Sequence, residues 1–308
     1  MRKFWNNYDK KISPNFIEVE SDSDEEIKKI EKNLEYPIMI KPTNMASSKM
    51  VTKNYHREEL KKSLTSIFNK GGFIQSLRKT ILPSEDKIEV IAEEFMEGSM
   101  YSVDGVIDDK DKVSMYPPVY IKTGKSIGFD DFFGYMQILP SKISSENRKK
   151  MNKVIKKAIA GLSLDNSHFH IELFKTEDYE WRVIEIAPRI GGFREFLYKN
   201  TYGFSVNKNN ILNKIGSKIE YDEKVKNPSA VLKIYAKSEG RIKKILGLKK
   251  VEALDSFVKI NKKKKVGDMA KFAKNGADPV LIIYLKNKKR GSLLGDVRKI
   301  EEIVKIII

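Results

Sequence analysis

The sequence predicts an α+β protein, and three observations carry that expectation. Strand-like segments come in neighbouring pairs, Met100 to Asp108 with Val113 to Ile121 across a polar DDKDK turn, and a second pair inside His168 to Ala187. The clearest helix, Glu146 to Leu162, sets Met151, Val154, Ile155, Ala158, Ile159 and Leu162 on one stripe. The last hundred residues alternate short β segments and close on Val297, Ile300, Ile303, Val304 and Ile307, spaced as an amphipathic helix.

At 308 residues the chain has room for about two domains of roughly 150 residues each. Hydrophobic content of 40% and a mean hydropathy of −0.46 describe a chain with ample core. Cysteine is absent, which excludes disulfides, thiolate metal sites and a Cys nucleophile, and three histidines argue against a His-rich zinc site. No apolar run approaches the roughly 20 residues of a membrane span. MRKFWNNYDKK lacks the apolar segment of a signal peptide, so no membrane partner and a cytoplasmic location are expected. The net charge of +17 attracts phosphate backbones in principle, but the lysines are scattered and form runs only at Lys262 to Lys265 and Lys286 to Arg290. Those runs read as solvated loops, and a nucleic-acid partner is not expected.

In chain order, Ser23 opens a helix with a capping box to Glu26, and Ile27, Ile30 and Leu34 form its buried stripe. Tyr36 to Lys41 reads as a strand ended by Pro42, and TNMASSKM as the loop after it. Asn54 is expected to cap the helix that carries Leu60, Leu64, Ile67 and Phe68. Ile88 to Phe95 is a further strand. The Gly-bearing stretch Lys122 to Gly134 is long enough to be functional, and it and Phe193 to Tyr202 supply candidate pocket side chains, Lys122, Arg194 and Tyr198.

The richest stretch is His168 to Gly192, HFHIELFKTEDYEWRVIEIAPRIGG. In strand geometry His168, His170 and Glu172 share one face while Phe169, Ile171 and Leu173 take the other. On the second strand Glu185 shares a face with Val183 and Ala187. A turn centred on Asp178 and Tyr179 pairs Phe174 with Val183 and Glu172 with Glu185. Opposed carboxylates with Cβ atoms roughly 5 Å apart repel. That pairing asks for a cation, and Mg²⁺ fits, since it is held by one or two carboxylates plus nucleotide phosphates. A hairpin edge whose glutamates merely face water is the plain alternative. Arg189 lies just past the strand beside Gly191 and Gly192, where backbone can approach a ligand.

Taken in order, a strand ending Lys41-Pro42 with a Ser-bearing loop, EEFMEG at a strand end, HIE and then EIAPRIGG resemble the ATP-grasp superfamily. The EIAPRIGG wording with a β-rich C-terminal part looks most like its carboxylate-amine ligase branch, the L-amino-acid ligases. The resemblance implies an ATP-grasp fold: residues 1–205 as a core of two α/β subdomains clasping nucleotide, divided near 95, 206–227 as a linker, and 228–308 as an α+β lid. It implies ATP and Mg²⁺ as cofactors and a small carboxylate and an amine, the acid an amino acid or similar, as substrates joined through an acyl-phosphate. Residue by residue, Lys41 matches the lysine on the nucleotide phosphates, with Ser47 and Ser48 as phosphate-loop donors. Glu93, Glu94, Phe95 and Met96 match the adenine hinge, and Glu172 and Glu185 the Mg²⁺ ligands. Arg189 matches the arginine that neutralises charge at the reacting phosphate. His170 aligns with the His of the HxE pattern, either facing the site or packed as a structural imidazole.

The chain also departs from the pattern. Met50 stands where the family tends to have Gly, Met100 replaces an acid near the ribose, and Ala187 replaces an Asn metal ligand. The family's N-terminal domain and its first nucleotide lysine have no match, and Arg2 or Lys3 is the candidate substitute for that lysine. A separate N-terminal partner or a homo-oligomer is therefore an expected complement, and a protein that binds nucleotide without ligating is the alternative function.

Overall fold

The structure is a computed structural model that describes residues 1–43, 50–68, 89–128, 133–178, 180–271 and 279–308. The chain forms two compact units, one of Arg2 and Ser13–Glu97, the other of Met1, Lys3–Ile12 and Gly98–Ile308.

The smaller unit is a sheet of β1 (Phe16–Val19), β4 (Val90–Glu94), β2 (Ile38–Pro42) and β3 (Thr52–Asn54), in that order and antiparallel throughout. Helices α2 (Asp24–Asn33) and α3 (Arg57–Phe68) bury Ile27, Ile30, Leu60, Leu64 and Ile67 against Ile38, Ile40, Val90 and Ala92. Ser23 caps α2, its Oγ accepting from the Glu26 backbone N–H at 3.2 Å. The return half of the expected capping box is not formed, because Lys29 Nζ donates to Glu26 at 2.9 Å. Asn54 does not cap α3 either. It ends β3, almost wholly buried, donating to Ile38 O at 3.0 Å and accepting from Ser63 Oγ at 2.6 Å.

The larger unit is built on a nine-stranded sheet. Its order is β10 (Trp181–Ala187), β9 (Ser167–Lys175), β5 (Ser99–Ile107), β7 (Val119–Thr123), β8 (Gly134–Leu139), β11 (Ser229–Ile234), β16 (Leu281–Lys286) and β14 (Phe257–Lys262), with β6 (Val113–Met115) on β5. One face carries a core of Val103, Phe169, Ile171, Leu173, Trp181 and Val183, covered by α4 (Ser145–Ala160) through Met151, Ile155, Ala158 and Ile159. Trp5, on α1 (Arg2–Tyr8), joins this core and donates its indole N–H to Ala158 O at 2.9 Å.

Three features differ from the sequence expectation. The C-terminal residues are continuous with the main sheet, since β11 pairs with β8 and β16 follows it. The stretch expected as a linker with one short helical piece near Ile211 and Leu212 does carry a helix there, α6 (Val206–Lys214), but it is held to the sheet by Asn213 Nδ2 donating to Ile107 O at 2.9 Å. The closing helix α8 (Arg290–Ile303) stops before Val304, whose extended backbone leads into β17 (Lys305–Ile307) against β13 (Lys244–Leu246). Two short strands, β12 (Gly240–Arg241) and β15 (Met269–Ala270), pair with each other, and Val251 is buried on the short α7 (Leu248–Glu252). No helix among the described residues is long and apolar enough to cross a membrane.

Candidate functional site

The β9–β10 ribbon starts in one register and ends in another. Trp181 pairs with Lys175, Arg182 with Phe174 and Val183 with Leu173; then a β-bulge intervenes, and Glu185 pairs with Glu172, Ile186 with Ile171 and Ala187 with His170. The two glutamates are therefore partners as expected, but the expected Phe174–Val183 pair is not formed. Nor does Glu185 share a face with Val183. Val183 is buried with Leu173 in the α4-side core, and the extra residue, Ile184, turns Glu185 to the opposite face. Glu185 is exposed and Glu172 partly so.

That opposite face is organised by Asp104, fully buried on β5 and partnered in register with His170. Its Oδ2 accepts from Arg194 Nε at 2.8 Å and sits 2.9 Å from His170 Nδ1, while its Oδ1 accepts from the Gly191 backbone N–H at 2.8 Å and lies 3.3 Å from His168 Nε2. Burial alone would raise the Asp104 carboxyl, but the Arg194 and His170 charges outweigh it and hold it far below the carboxylate range. Burial alone would lower the His170 imidazole, and the Asp104 carboxylate instead lifts it to about 9. His170 Nε2 is 3.4 Å from Glu172 Oε1. Burial pushes the Glu172 carboxyl up, yet the His170 contact and the Arg194 and Lys233 charges bring it below its ordinary value. His170 is thus both packed and site-facing.

Arg194 opens a helix that the sequence reading missed, α5 (Arg194–Thr201). Its buried positions, Arg194, Leu197, Tyr198 and Thr201, have helical spacing, a signal obscured by the arginine that heads the stripe. Every nitrogen of the guanidinium is engaged: beyond Asp104, it donates to Gln137 Oε1 at 2.6 Å, Gly192 O at 3.0 Å and Ser102 Oγ at 2.5 Å. Tyr198 is equally buried, its hydroxyl donating to Pro117 O at 2.8 Å. Neither is a pocket side chain as expected: Arg194 fixes the loop that precedes it, and Tyr198 ties α5 to the segment at Pro117. Lys122 is half-buried, its ammonium 5.8 Å from the Tyr135 ring centroid.

Arg189 projects from that loop, exposed, its guanidinium donating to Ile190 O at 3.1 Å. Gly191 lies on the His170 ring, where a Cβ would come within 2.4 Å of Nδ1, so its missing side chain serves the imidazole. Gly192 has open space around it. Phe193 follows in the left-handed region at φ 66°, and Lys233 on β11 holds its ammonium 5.8 Å from the Phe193 ring centroid. Burial pulls the Lys233 ammonium below its ordinary pKa, with Glu172 opposing. The sequence reading singled out neither Asp104 nor Lys233. Asp104 sits in SVDG, where an acid at an alternate strand position looks like the solvent face; only its parity with His170 across a non-local pairing reveals otherwise.

The other sequence-derived residues belong to the smaller unit. Lys41 Nζ donates to Glu93 Oε2 at 2.5 Å, and Arg2 Nε donates to the other Glu93 oxygen. Burial would raise the Glu93 carboxyl, but the Lys41 and Arg2 charges keep it below its usual range. Glu94 is held twice by Asn15, its backbone N–H donating to Asn15 O at 3.1 Å and its carboxylate accepting from Asn15 Nδ2 at 2.9 Å. Phe95 and Met96 lie past the last ladder pair and are half-exposed, with Lys53 Nζ 4.0 Å from the Phe95 ring centroid. Ser47 and Ser48 lie outside the described residues. Among those described, no group of three or more carboxylate or imidazole side chains could by itself hold a metal.

The ATP-grasp domain profile matches residues 34–195, and the chain belongs to that family. Among curated proteins it is 31% identical over 173 residues to an alanine-anticapsin ligase from Bacillus amyloliquefaciens, covering 51% of this chain and 34% of that protein. It is 27% identical over 187 residues to a D-alanine-D-alanine ligase from Natranaerobius thermophilus, covering 58% and 45% respectively. The aligned stretch therefore spans between a third and a half of these relatives. An L-amino acid ligase from Bacillus licheniformis shares the fold with a TM-score of 0.81 at 19% identity, over 99% of this chain and 71% of that one. An N5-carboxyaminoimidazole ribonucleotide synthetase from Thermotoga maritima does so at 0.64 and 15% identity, covering 99% and 70%.

Proposed function

We propose that this chain is an ATP-dependent carboxylate-amine ligase that forms an amide through an acyl-phosphate, with an amino acid or small carboxylate as the acid. The observation that carries the reading is the bulge that turns Glu185 onto the face of Glu172, beside the loop bearing Arg189. A buried hydrogen-bonded base is not what such a site needs, because phosphoryl transfer depends on positioning and on cations that neutralise spreading charge.

The donor set fits Mg²⁺, which takes one or two carboxylates and completes its shell with phosphate oxygens and water. Glu172 and Glu185 would hold the ion, which when bound draws charge from the phosphate oxygens of ATP. In the first step a carboxylate oxygen of the acid bonds to the γ-phosphorus as the bond to the β-γ bridging oxygen breaks, releasing ADP. The amine nitrogen then attacks the acyl carbon, phosphate leaves with the bonding pair, and the nitrogen loses its proton. Arg189, exposed on a loop fixed at Gly191 and Gly192, is suited to meet the phosphate in both steps. Lys41 is assigned to the nucleotide phosphates, oriented by Glu93, with Ser47 and Ser48 as further donors. Phe95 and Met96 are assigned to the adenine, beside Glu93 and Glu94, and His170 holds Glu172. The site's location in the cell is proposed as cytoplasmic.

The test has two arms. Mg-ATP is expected to raise the melting temperature of the wild type, and Glu185→Gln to remove most of that shift. ADP release in a screen of amino-acid pairs is expected to depend on the amine. A melting curve indifferent to Mg-ATP defeats the reading, and ATP binding without amine-dependent ADP from any pair assigns the chain to nucleotide binding without ligation.

A further inference from the structure

We propose that Arg2 is a positioning residue for Lys41: it keeps hold of the buried Glu93 carboxylate when Lys41 leaves that carboxylate for the phosphates of the nucleotide. This rests on the assignment of Lys41 to those phosphates and adds what sets the lysine free.

The three side chains form one cluster in the smaller unit. Met39 is opposite Glu93 and Lys41 opposite Ile91, so Lys41 and Glu93 are diagonal neighbours on one face of the sheet. It is the face away from Ile38, Ile40, Val90 and Ala92, against which α2 and α3 pack. The carboxylate is divided between two cations. Arg2 Nε donates to its Oε1 and Lys41 Nζ to its Oε2 at 2.5 Å, so either bond can open while the other stays. Exposure separates the two cations: the Glu93 side chain is fully enclosed, that of Arg2 is 6% exposed and that of Lys41 21%. Lys41 is the partner at the water's edge.

One carboxylate requires one counter-charge, and this one has two. The cluster therefore carries a net positive charge before any ligand arrives. Were Lys41 the only partner, moving its ammonium to a phosphate would strand an ionised carboxylate in the interior, and breaking a buried pair from one side is strongly unfavourable. Nucleotide binding would be weakened by that amount. With Arg2 in place, the departure of Lys41 leaves a one-to-one buried pair and relieves the repulsion between the two cations. The side-chain types match these roles. A guanidinium is always charged and weakly hydrated, which suits the pair that stays, whereas an ammonium on a flexible stem suits the partner that moves.

The experiment measures the Kd of the full chain for Mg-ATP by calorimetry in wild type, Arg2→Gln, Arg2→Lys, Glu93→Gln and the double variant Arg2→Gln/Glu93→Gln, with melting curves taken without nucleotide. Arg2→Gln keeps a donor for Glu93 but not the charge, and its Kd should rise about tenfold or more, while Arg2→Lys should stay within about threefold of wild type. The double variant should bind about fivefold or more tighter than Arg2→Gln and within about threefold of Glu93→Gln, because no carboxylate is left to strand. An arginine that only anchors α1 gives no such recovery, and neither does one that meets the phosphates itself. Wild-type affinity in Arg2→Gln, or a double variant about tenfold weaker than Glu93→Gln, overturns the proposal while leaving nucleotide binding intact. The second comparison decides even if Arg2→Gln alone does not fold. No binding of Mg-ATP to wild type defeats the ligase reading itself, and this proposal with it.

Discussion

Asp104→Asn tests the organisation of the larger unit most directly. The carboxylate is wholly buried, and each oxygen meets two donors, Oδ2 those of Arg194 and His170, Oδ1 those of Gly191 and His168. An asparagine keeps the shape, but its amide nitrogen must displace one oxygen. If it takes the Oδ2 place, Arg194 Nε faces a donor inside the protein; if it takes the Oδ1 place, the Gly191 N–H loses its acceptor. Either way Arg194 is left with its charge uncompensated, and breaking a buried ion pair from one side costs about 3–5 kcal/mol. At about 2–4 °C per kcal/mol for domains of this size class, the melting temperature should fall by about 6–20 °C. Both tryptophans, Trp5 and Trp181, lie in this unit, so urea unfolding followed by tryptophan fluorescence reports it selectively. Adding Arg194→Met should lessen the penalty, because the stranded charge is gone. A loss below about 1 kcal/mol for Asp104→Asn, or a double variant as unstable as the sum of the two singles, would refute the view of Asp104 as hub.

Three further outcomes are expected. The fold raises the His170 imidazole from 6.5 to about 9, so the stability this group contributes is complete below pH 6.5 and is lost as pH climbs toward 9, amounting to about 3 kcal/mol at 1.36 kcal/mol per pKa unit. Unfolding midpoints measured across that window should fall for wild type and stay nearly level for His170→Gln; a level wild-type profile counts against it. Gly191→Ala should destabilise by more than 1 kcal/mol because its Cβ would strike the His170 ring, whereas Gly192→Ala should stay within about 0.5 kcal/mol, and similar melting curves for the two would show the contact to be unimportant. Arg189→Ala should leave the melting temperature within 1–2 °C and reduce amine-dependent ADP release by about 100-fold or more, and an active variant would remove Arg189 from the reaction.

Much of this architecture is legible in the sequence where the signal is local. The stripes of α2, α3 and α4, the alternation of β5 and β9 and the order of motifs from Lys41 to Gly192 are patterns within a few residues of each other. What stays hidden is non-local. That β11 lies against β8 follows from hydrogen bonds between residues about ninety positions apart, so the C-terminal residues read as a separate module. Lys41 reads as a nucleotide ligand, while its contact with Glu93 depends on the pairing of β2 with β4 across a long intervening segment. Arg194 and Tyr198 read as pocket residues because nothing in their own neighbourhood announces Asp104 or Pro117. The Glu172–Glu185 pairing is expected from a regular ladder and is reached through an irregular one, since Ile184, an apolar residue in an apolar strand, gives no sign that it is the surplus residue.

That surplus residue marks a position of β10 at which the count of residues can change without moving Glu185. Substituting Ile184 by another apolar side chain leaves the bulge, and hence the facing of Glu185, as it is. Removing it would let the ladder close evenly: Val183 stays opposite Leu173, and Glu185, now next in the chain, stays opposite Glu172 and on the other face from Val183, with only the local twist of the ribbon relaxed. Saturation mutagenesis and a single codon deletion would then both describe position 184 as tolerant. Any alignment of distant relatives that places a gap one position away from Ile184 would misassign the carboxylate.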